Sequence, residues 1–255
     1  MAANSFGKTI SAREDFKMEY RKSNRYHPQL VREKIMGPNP IKLLEELLLQ
    51  HSLAPGDLVM DLGCGQGLTS VFLVKEYGFR VFAADLWSNP TDNKRFFDQM
   101  GLTAQQIIPL HADANTLPFA EEFFDAIVSI DSYHYFGHDP EYLGKRLLPY
   151  VKHGGYVYIA IPGMKWDCHD QLPPELLLSW TPEQLDTIHD IAYWTERIGK
   201  TKGVRVLSIH EMENNEEVWA DWLRCDNEYA RGDRRTWEAG GGKYLNMIAI
   251  VLQRE

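Results

Sequence analysis

A buried strand that runs directly into three alternating glycines is the feature that most restricts the fold of this chain. The predicted strand, residues 58–62, contains Asp61 near its end, and Gly63, Gly65 and Gly67 follow before a segment with helical spacing. Glycine is needed where the backbone turns sharply and a ligand approaches closely, because a Cβ atom would collide there. The pattern predicts a strand–loop–helix unit of an α/β sheet with a ligand site at the loop.

The spacing of the glycines discriminates between ligands. A dinucleotide fingerprint requires G-x-G-x-x-G, whereas this loop has G-x-G-x-G with Leu68 in the third position. A phosphate-binding P-loop requires Gly-Lys-Ser/Thr, and Gly67-Leu68-Thr69 lacks the lysine. Asp61 also suits an amino group better than a pyrophosphate. These differences disfavour an NAD-dependent oxidoreductase, which is the last of three hypotheses for this chain.

Two further acids follow predicted strands. Asp85 lies 22 residues after Gly63, where a carboxylate accepts hydrogen bonds from ribose hydroxyls in nucleoside-binding sheets. Asp113 follows the third strand, where it can accept from an exocyclic adenine amine. One such aspartate is more often a turn former than a ligand contact. Three at the carboxyl ends of consecutive strands are expected to converge on one crevice, which favours a nucleoside ligand.

The order of elements predicts one α/β domain, because short apolar runs alternate with helical patterns and no linker divides the chain. Strands are predicted at 58–62, 79–86, 106–112, 124–131, 154–162, 204–212 and 244–253, and helices at 41–51, 68–77, 91–100, 140–150 and 214–229. We expect an N-terminal helical or lid segment at 1–40 and the domain at 41–255, with 163–203 and 213–243 as elaborations on the acceptor side. Within residues 213–243, we expect 231–243 to form a long glycine-rich loop. This loop is either a simple connection or a wall of the acceptor pocket.

Composition narrows the class of partner. The net charge of −9 argues against a protein that grips nucleic acid, since that affinity comes mainly from Lys and Arg. Residues 1–36 nevertheless carry eight Lys or Arg against four acids. This basic leader is either a solvated amphipathic segment or a lid over an acidic ligand. We expect no nucleic-acid partner.

The lack of an apolar targeting segment and the pattern of cysteines predict a cytoplasmic protein. No apolar run approaches the ~20 residues that a bilayer span needs, and the first ten residues have no apolar signal region. Cys64, Cys168 and Cys225 are odd in number and lack C-x-x-C spacing. We therefore expect no membrane insertion, no disulfide framework and no cysteine zinc site.

Residues 41–162 resemble the class I S-adenosylmethionine-dependent methyltransferases. Within that family they are most similar to the small-molecule branch that includes the quinone-biosynthesis C-methyltransferases. The motifs that carry the resemblance are DLGCGQG at 61–67, Asp85, DANTLPF at 113–119, FDAIVS at 124–129 and the glycine pair 154–155. The resemblance covers about half of the chain.

The resemblance implies a Rossmann-like, seven-stranded, mostly parallel sheet with helices on both faces and an antiparallel last strand beside the fifth. It implies S-adenosyl-L-methionine as cofactor. The residues that it assigns to the cofactor are Asp61, Gly63, Gly65, Gln66 and Gly67 at the methionine part, Asp85, Leu86 and Trp87 at the ribose and adenine, Asp113 and Ala114 at the adenine ring, and Asp131 near the sulfonium. Trp87 is equally well a core or surface aromatic.

The residues after the fourth strand bear on the acceptor. The chain after the fourth predicted strand has no Asn/Asp-Pro-Pro-aromatic motif, and no Pro-Cys nucleophile is found. Nucleic-acid methylation is therefore not favoured, and a small-molecule acceptor is expected. His134 is the candidate general base, because its unperturbed pKa of about 6.5 suits proton removal at neutral pH. Tyr135 is the candidate for orienting the acceptor. Both also fit a purely packing role.

Two groups of residues contain side-chain types that ligate metals. His134 and His138 lie one helical turn apart, and 167–170 is rich in acids, His and Cys. Neither spacing matches a strong zinc or magnesium pattern, so no metal is predicted. The favoured hypothesis is an S-adenosylmethionine-dependent methyltransferase that acts by in-line displacement on a small molecule. The alternative is a protein that binds the cofactor without turnover.

Overall fold

The computed structural model describes residues 19–213 and 215–255. The first eighteen residues of the predicted lid, including part of the basic leader, lie outside the described residues. The strands are β1 Leu58–Leu62, β2 Arg80–Asp85, β3 Ile107–His111, β4 Phe124–Ile130, β5 Val151–Met164, β6 Val204–Glu211 and β7 Leu245–Arg254. The helices are α1 Pro28–Lys34, α2 Pro40–Leu47, α3 Leu68–Tyr77, α4 Pro90–Gln99, α5 Pro182–Leu185, α6 Ile191–Gly199, α7 Asn215–Leu223 and α8 Glu228–Glu238.

The seven strands form one sheet in the order β3-β2-β1-β4-β5-β7-β6. β7 pairs antiparallel with both β5 and β6, and the pairs between β1, β2, β3, β4 and β5 are parallel. The predicted sheet with an antiparallel last strand beside the fifth is therefore confirmed. Because β1 lies between β2 and β4, the order reverses at its carboxyl end, where open α/β sheets form their ligand crevice.

Helices cover both faces of the sheet, as predicted. One buried cluster packs α2 and α3, with Leu44 and Phe72 fully buried, against one face. The other face is covered by α6 and by the chain after β4, with Trp194 and Tyr142 fully buried. These two cores hold the carboxyl ends of β1, β2 and β4 in fixed relation. Among the described residues, no helix is long and apolar enough to cross a membrane.

The chain between β4 and β5 differs from the helix predicted at 140–150. It forms a π-helical turn at Tyr142–Leu147 and a 3-10 turn at Leu148–Tyr150. Pro149 explains the break, because proline has no N–H to donate and clashes with the preceding turn of an α-helix. β5 then begins at Val151, three residues before the predicted start, since Val151 already pairs with Phe124 of β4.

The region after β6 also differs from the prediction. The helix expected at 214–229 is two helices, and the loop expected at 231–243 is mostly α8. Asn227 starts α8, because its side chain accepts a hydrogen bond from the Ala230 amide at 2.9 Å. Ala230 and Thr236 bury one face of the helix. The charged residues and Gly232 hid this helical pattern in the sequence.

Candidate active site

The glycine loop after β1 has a left-handed backbone at every second residue. The φ angles are +79° at Gly63, +52° at Gly65 and +80° at Gly67, a region that side chains with a Cβ rarely adopt. The amides of Gly63 and Cys64 donate to the Ala84 carbonyl at 2.8 and 3.1 Å. The loop is therefore a tight turn fastened to the carboxyl end of β2.

Gly63 also brings the loop against the chain that follows β4. A Cβ atom built on Gly63 would lie 2.0 Å from the Ser132 hydroxyl oxygen and 2.4 Å from the Ser132 Cβ. That hydroxyl donates to the Leu62 carbonyl at 3.0 Å. The absent side chain thus allows the ends of β1 and β4 to approach each other.

Asp61 supports the loop from beneath. Its Oδ2 accepts hydrogen bonds from the Thr69 and Ser70 hydroxyls, both at 2.6 Å, at the start of α3. Burial raises the pKa of Asp61 to about 6. The other carboxylate oxygen, Oδ1, is buried and has no hydrogen-bond partner among the described residues. Asp61 therefore ties β1 to α3 and leaves one acceptor atom available to a donor.

Asp85 holds the other side of the loop. Its carboxylate accepts from the amides of Gly65 at 2.9 Å, Trp87 at 2.8 Å and Ser88 at 2.7 Å. The residue is only 9% exposed. Asp85 therefore fixes the glycine loop to the segment that begins after β2, and the two carboxylate oxygens remain at the edge of the crevice.

A cavity of about 840 Å³ opens above this loop, between α1 with its following residues 35–38, the ends of β1, β2 and β4, and the junction of α7 and α8. Its walls bring together seven of the predicted site residues. They are Gly63, Gly65, Gln66, Asp85, Trp87, Asp131 and Tyr135. Trp87 and Tyr135 contact each other edge to face at 5.7 Å between ring centroids. A cavity of this size is in the range of small-molecule sites.

The remaining predicted residues do not line this cavity. They are Asp61, Gly67, Leu86, Asp113, Ala114 and His134. Asp113 accepts from the Asn115 amide at 2.8 Å, and the Ala114 carbonyl accepts from the Tyr142 hydroxyl at 3.0 Å. Asp113 therefore stabilises its own loop, and Ala114 ties that loop to the chain between β4 and β5.

His134 is buried beneath the cavity wall. It is 3% exposed, and its ring lies 4.0 Å from the Tyr135 ring between centroids. Burial lowers the pKa of His134 to about 3, because nothing nearby compensates the charged ring for lost water. The general base predicted from the sequence is thus placed away from the cavity and is weakly basic.

Asp131, unlike His134, lies at the wall of the cavity. It has a φ of +55° and lines the cavity. A Cβ atom built on Gly37 would lie 2.0 Å from Asp131 Oδ2, so the carboxylate packs against the backbone that follows α1. Burial, together with the negative charge of Asp233, raises the pKa of Asp131 to about 7. This carboxylate changes charge near neutral pH.

Several cavity residues were not singled out as site residues in the sequence. Those from the α7–α8 region are Trp222, Arg224, Asp226, Asn227 and Tyr229, and those after α1 are Ile35, Met36, Gly37 and Pro38. The excess of Lys and Arg in the leader, which includes Arg32 and Lys34 of α1, was the only signal for the second group. Within residues 19–213 and 215–255, no group of three or more His, Cys, Asp or Glu side chains is placed to hold a metal.

Comparison with known proteins assigns the domain. Residues 60–159 match the family model described as a methyltransferase domain. The chain is 30% identical over 165 residues to the 2-methyl-6-phytyl-1,4-hydroquinone methyltransferase of Synechocystis sp.. That match covers 60% of this chain and 49% of the relative, so it spans about half of the relative's length.

Solved structures share the fold. Geranyl diphosphate C-methyltransferase from Streptomyces coelicolor A3(2), solved with S-adenosyl-L-homocysteine, superposes with a TM-score of 0.65 at 17% identity, covering 84% of this chain and 78% of that one. Phosphoethanolamine N-methyltransferase 2 from Haemonchus contortus superposes with a TM-score of 0.66 at 17% identity, covering 87% and 54%. Together with the glycine loop and the strand order, these matches show that the chain has the class I methyltransferase fold, with a methyltransferase domain at residues 60–159.

Proposed function

We propose that this protein transfers a methyl group from S-adenosylmethionine to a small molecule bound in the cavity above the glycine loop. The observation that carries this proposal is the shared cavity, which joins Gly63, Gly65 and Asp85 on one side to Asp131 and Tyr135 on the other. The related proteins support it, since their names include methyltransferases of a hydroquinone, a prenyl diphosphate and phosphoethanolamine. Both a cofactor end and an acceptor end are present in one space.

The residues at the cofactor end fit S-adenosylmethionine. The glycine loop leaves room that a Cβ would fill, and the unpartnered Asp61 Oδ1 is an acceptor for a donor that reaches it. We assign Gly63, Gly65 and Gln66 to the methionine part and the Asp85 carboxylate to the ribose hydroxyls. Trp87, which is 75% exposed, is free to cover the adenine. Asp61 acts by holding α3 and the loop.

At the acceptor end, the chain binds, orients and deprotonates. The cofactor, when bound, supplies a methyl group on a positively charged sulfur, so holding the acceptor in line accounts for most of the acceleration. We place the proton acceptor at the Asp131 carboxylate instead of His134, because Asp131 lines the cavity and its pKa of about 7 matches the operating pH. Tyr135 lies beside it and orients the acceptor.

The segment after α1 forms the roof of the same cavity. Met36 Sδ lies 3.3 Å from the position of a Cβ on Gly65, and Gly37 covers the Asp131 carboxylate. Arg32 and Lys34 bring positive charge to this roof. We therefore assign residues 28–38 to a lid that covers both the cofactor and the acceptor. This assignment retains the described part of the lid predicted from the sequence.

Asp85→Ala tests the cofactor end. We expect the affinity for S-adenosylhomocysteine to fall about 10- to 100-fold, since hydrogen bonds to a charged acceptor contribute about 1.5–3 kcal/mol each. The same change releases the Gly65 and Trp87 amides, so the stability of the protein should also fall. Calorimetric titration gives the affinity, and Asp85→Asn, which keeps one acceptor oxygen, should show a smaller loss. An unchanged affinity in Asp85→Ala would remove Asp85 from the ribose site.

Substitution of His134 should affect turnover much less than substitution of Asp131. With labelled methyl donor and a metabolite extract, the native protein should label at least one small molecule. His134→Gln should retain that activity within a few fold, because the ring does not line the cavity. Asp131→Asn should reduce it about 10²–10⁴-fold, the usual contribution of a general base.

The opposite order of effects in these two variants would return the base to His134. If the native protein binds S-adenosylhomocysteine but labels nothing in a broad set of extracts, the proposed transfer is wrong and the protein is a cofactor-binding protein without turnover.

A further inference from the structure

We infer that the acceptor is a protonated amine, recognised by the Asp131 carboxylate and by the aromatic side chains that line the same cavity. This inference rests on the proposed function and names its substrate class. The first element is Asp131 itself, whose carboxylate forms no hydrogen bond or ion pair within residues 19–213 and 215–255 although it lines the cavity. Asp131 is half-buried and has no counter-charge of its own, and a cation bound beside it would supply one.

The second element lies on a different part of the chain. Asp233 of α8 is held in place by Trp222 of α7, whose indole Nε1 donates to Asp233 Oδ2 at 2.8 Å. Asp233 does not line the cavity, but its negative charge acts on Asp131 and Tyr135. The cavity cations Arg32, Lys34 and Arg224 form no ion pair with Asp131 among the described residues, and Arg224 pairs with Asp221 instead. Asp131 therefore lacks a counter-charge that a cationic acceptor would supply.

The third element is the aromatic lining. Tyr135, Trp87, Trp222 and Tyr229 all face the cavity that Asp131 lines. Aromatic faces attract ammonium groups within about 6 Å and carry the apolar part of an amine at the same time. A phenol or a sugar hydroxyl would form hydrogen bonds with the tyrosines, but it would leave the Asp131 carboxylate without a counter-charge.

Asp131 also provides for the proton that an amine must lose. The ammonium nitrogen gives one proton to the Asp131 carboxylate, and its freed lone pair forms the N–C bond as the carbon–sulfur bond of the donor breaks, leaving that electron pair on sulfur. The methylated nitrogen carries the positive charge when the bond has formed, and the proton held by Asp131 is then released to solvent, so the net reaction releases one proton.

The test uses the complex with S-adenosylhomocysteine and matched probes that differ only in amine against alcohol: ethanolamine with ethylene glycol, benzylamine with benzyl alcohol, and tryptamine with tryptophol. Saturation-transfer NMR ranks the probes at millimolar concentration, and calorimetry measures the best amine. We expect an amine to bind and its alcohol partner to bind at least about 10-fold more weakly. Equal binding of amine and alcohol, or no amine binding in a complex that holds S-adenosylhomocysteine, overturns the inference.

Variants distinguish recognition of the amine by Asp131 from a general effect of negative charge on its binding. Asp131→Asn should weaken the amine about 10- to 100-fold while S-adenosylhomocysteine still binds with nearly native affinity. Asparagine tolerates the left-handed backbone at this position, so the variant is expected to fold. Asp233→Asn, which keeps an acceptor for Trp222, should cause a smaller loss.

The matched control is Asp170→Asn, at an exposed carboxylate that does not line the cavity, which should change neither affinity. If Asp131→Asn weakens S-adenosylhomocysteine and the amine equally, the carboxylate belongs to the cofactor site and the inference is wrong. If S-adenosylhomocysteine does not bind the native protein at all, the proposed function fails instead.

Discussion

Gly63→Ala should destabilise the protein by about 2–5 kcal/mol and abolish measurable binding of S-adenosylhomocysteine. Left-handed backbone costs an alanine about 1–2 kcal/mol, and overpacking typically adds about 1–3 kcal/mol. The overpacking is specific, because the new Cβ would lie 2.0 Å from the Ser132 hydroxyl oxygen and 2.4 Å from its Cβ. Relief requires Ser132 to move, which breaks its hydrogen bond to Leu62 and separates the ends of β1 and β4. Urea unfolding and calorimetric titration give the two effects.

Gly203→Ala is the matched control, since Gly203 has a φ of +75° but nothing within 4 Å of its Cβ position. It should show the backbone cost alone, about 1–2 kcal/mol, and native affinity for S-adenosylhomocysteine. Adding Ser132→Gly to Gly63→Ala should recover the overpacking part of the loss. Equal destabilisation by Gly63→Ala and Gly203→Ala would show that the contact between the two loops does not constrain the site.

Asp131→Asn should make the protein more stable at high pH, by up to about 4 kcal/mol. The folded pKa of Asp131 is about 7, above its ordinary value of 3.8, so the folded protein holds more protons than the unfolded chain between those values. Raising the pH through that window therefore weakens folding of the native protein. Asparagine does not titrate, so the advantage of the variant should be near zero at pH 4, grow from there and level off above pH 7.

Thermal melts of the two proteins from pH 4 to pH 9 measure this difference. At pH 8 the variant should melt roughly 10 °C higher, given about 2–4 °C per kcal/mol for a chain of this size. Asp61, whose pKa is about 6, titrates in both proteins and cancels in the comparison. Asp226→Asn, at an exposed carboxylate, should give no such divergence. A constant difference at all pH values would contradict a carboxylate that is held in the cavity without a partner.

The cofactor half of the molecule was predictable because its chemistry is local in the sequence. The glycines at 63, 65 and 67 need their special backbone angles whatever the rest of the chain does, and Asp85 directly follows the apolar residues of β2. Their convergence then follows from strand order, since parallel neighbours end at the same edge of the sheet. The seven-stranded sheet with its antiparallel last strand, which the family resemblance implied, was also correct.

The residues proposed for the acceptor were less predictable because they come from distant segments. Gly37 and Asp131 meet only in the folded chain, and no spacing between them indicates contact. The residue type of His134 suggested a base, but burial depends on packing, and its ring lies away from the cavity. The helix α8 was missed because its outward face is charged and its buried face is narrow.

Binding of S-adenosylhomocysteine to the native protein is the decisive test of the proposed cofactor site, with NAD and ATP as comparison ligands in the same thermal melt. At 100 times its dissociation constant, a ligand stabilises the folded state by about 2.7 kcal/mol, which corresponds to a rise in melting temperature of roughly 5–10 °C for a chain of this length. We expect that rise with S-adenosylhomocysteine, its loss in Gly63→Ala, and no rise with NAD or ATP. A rise with NAD and none with S-adenosylhomocysteine would contradict the assignment of the glycine loop and the function built on it.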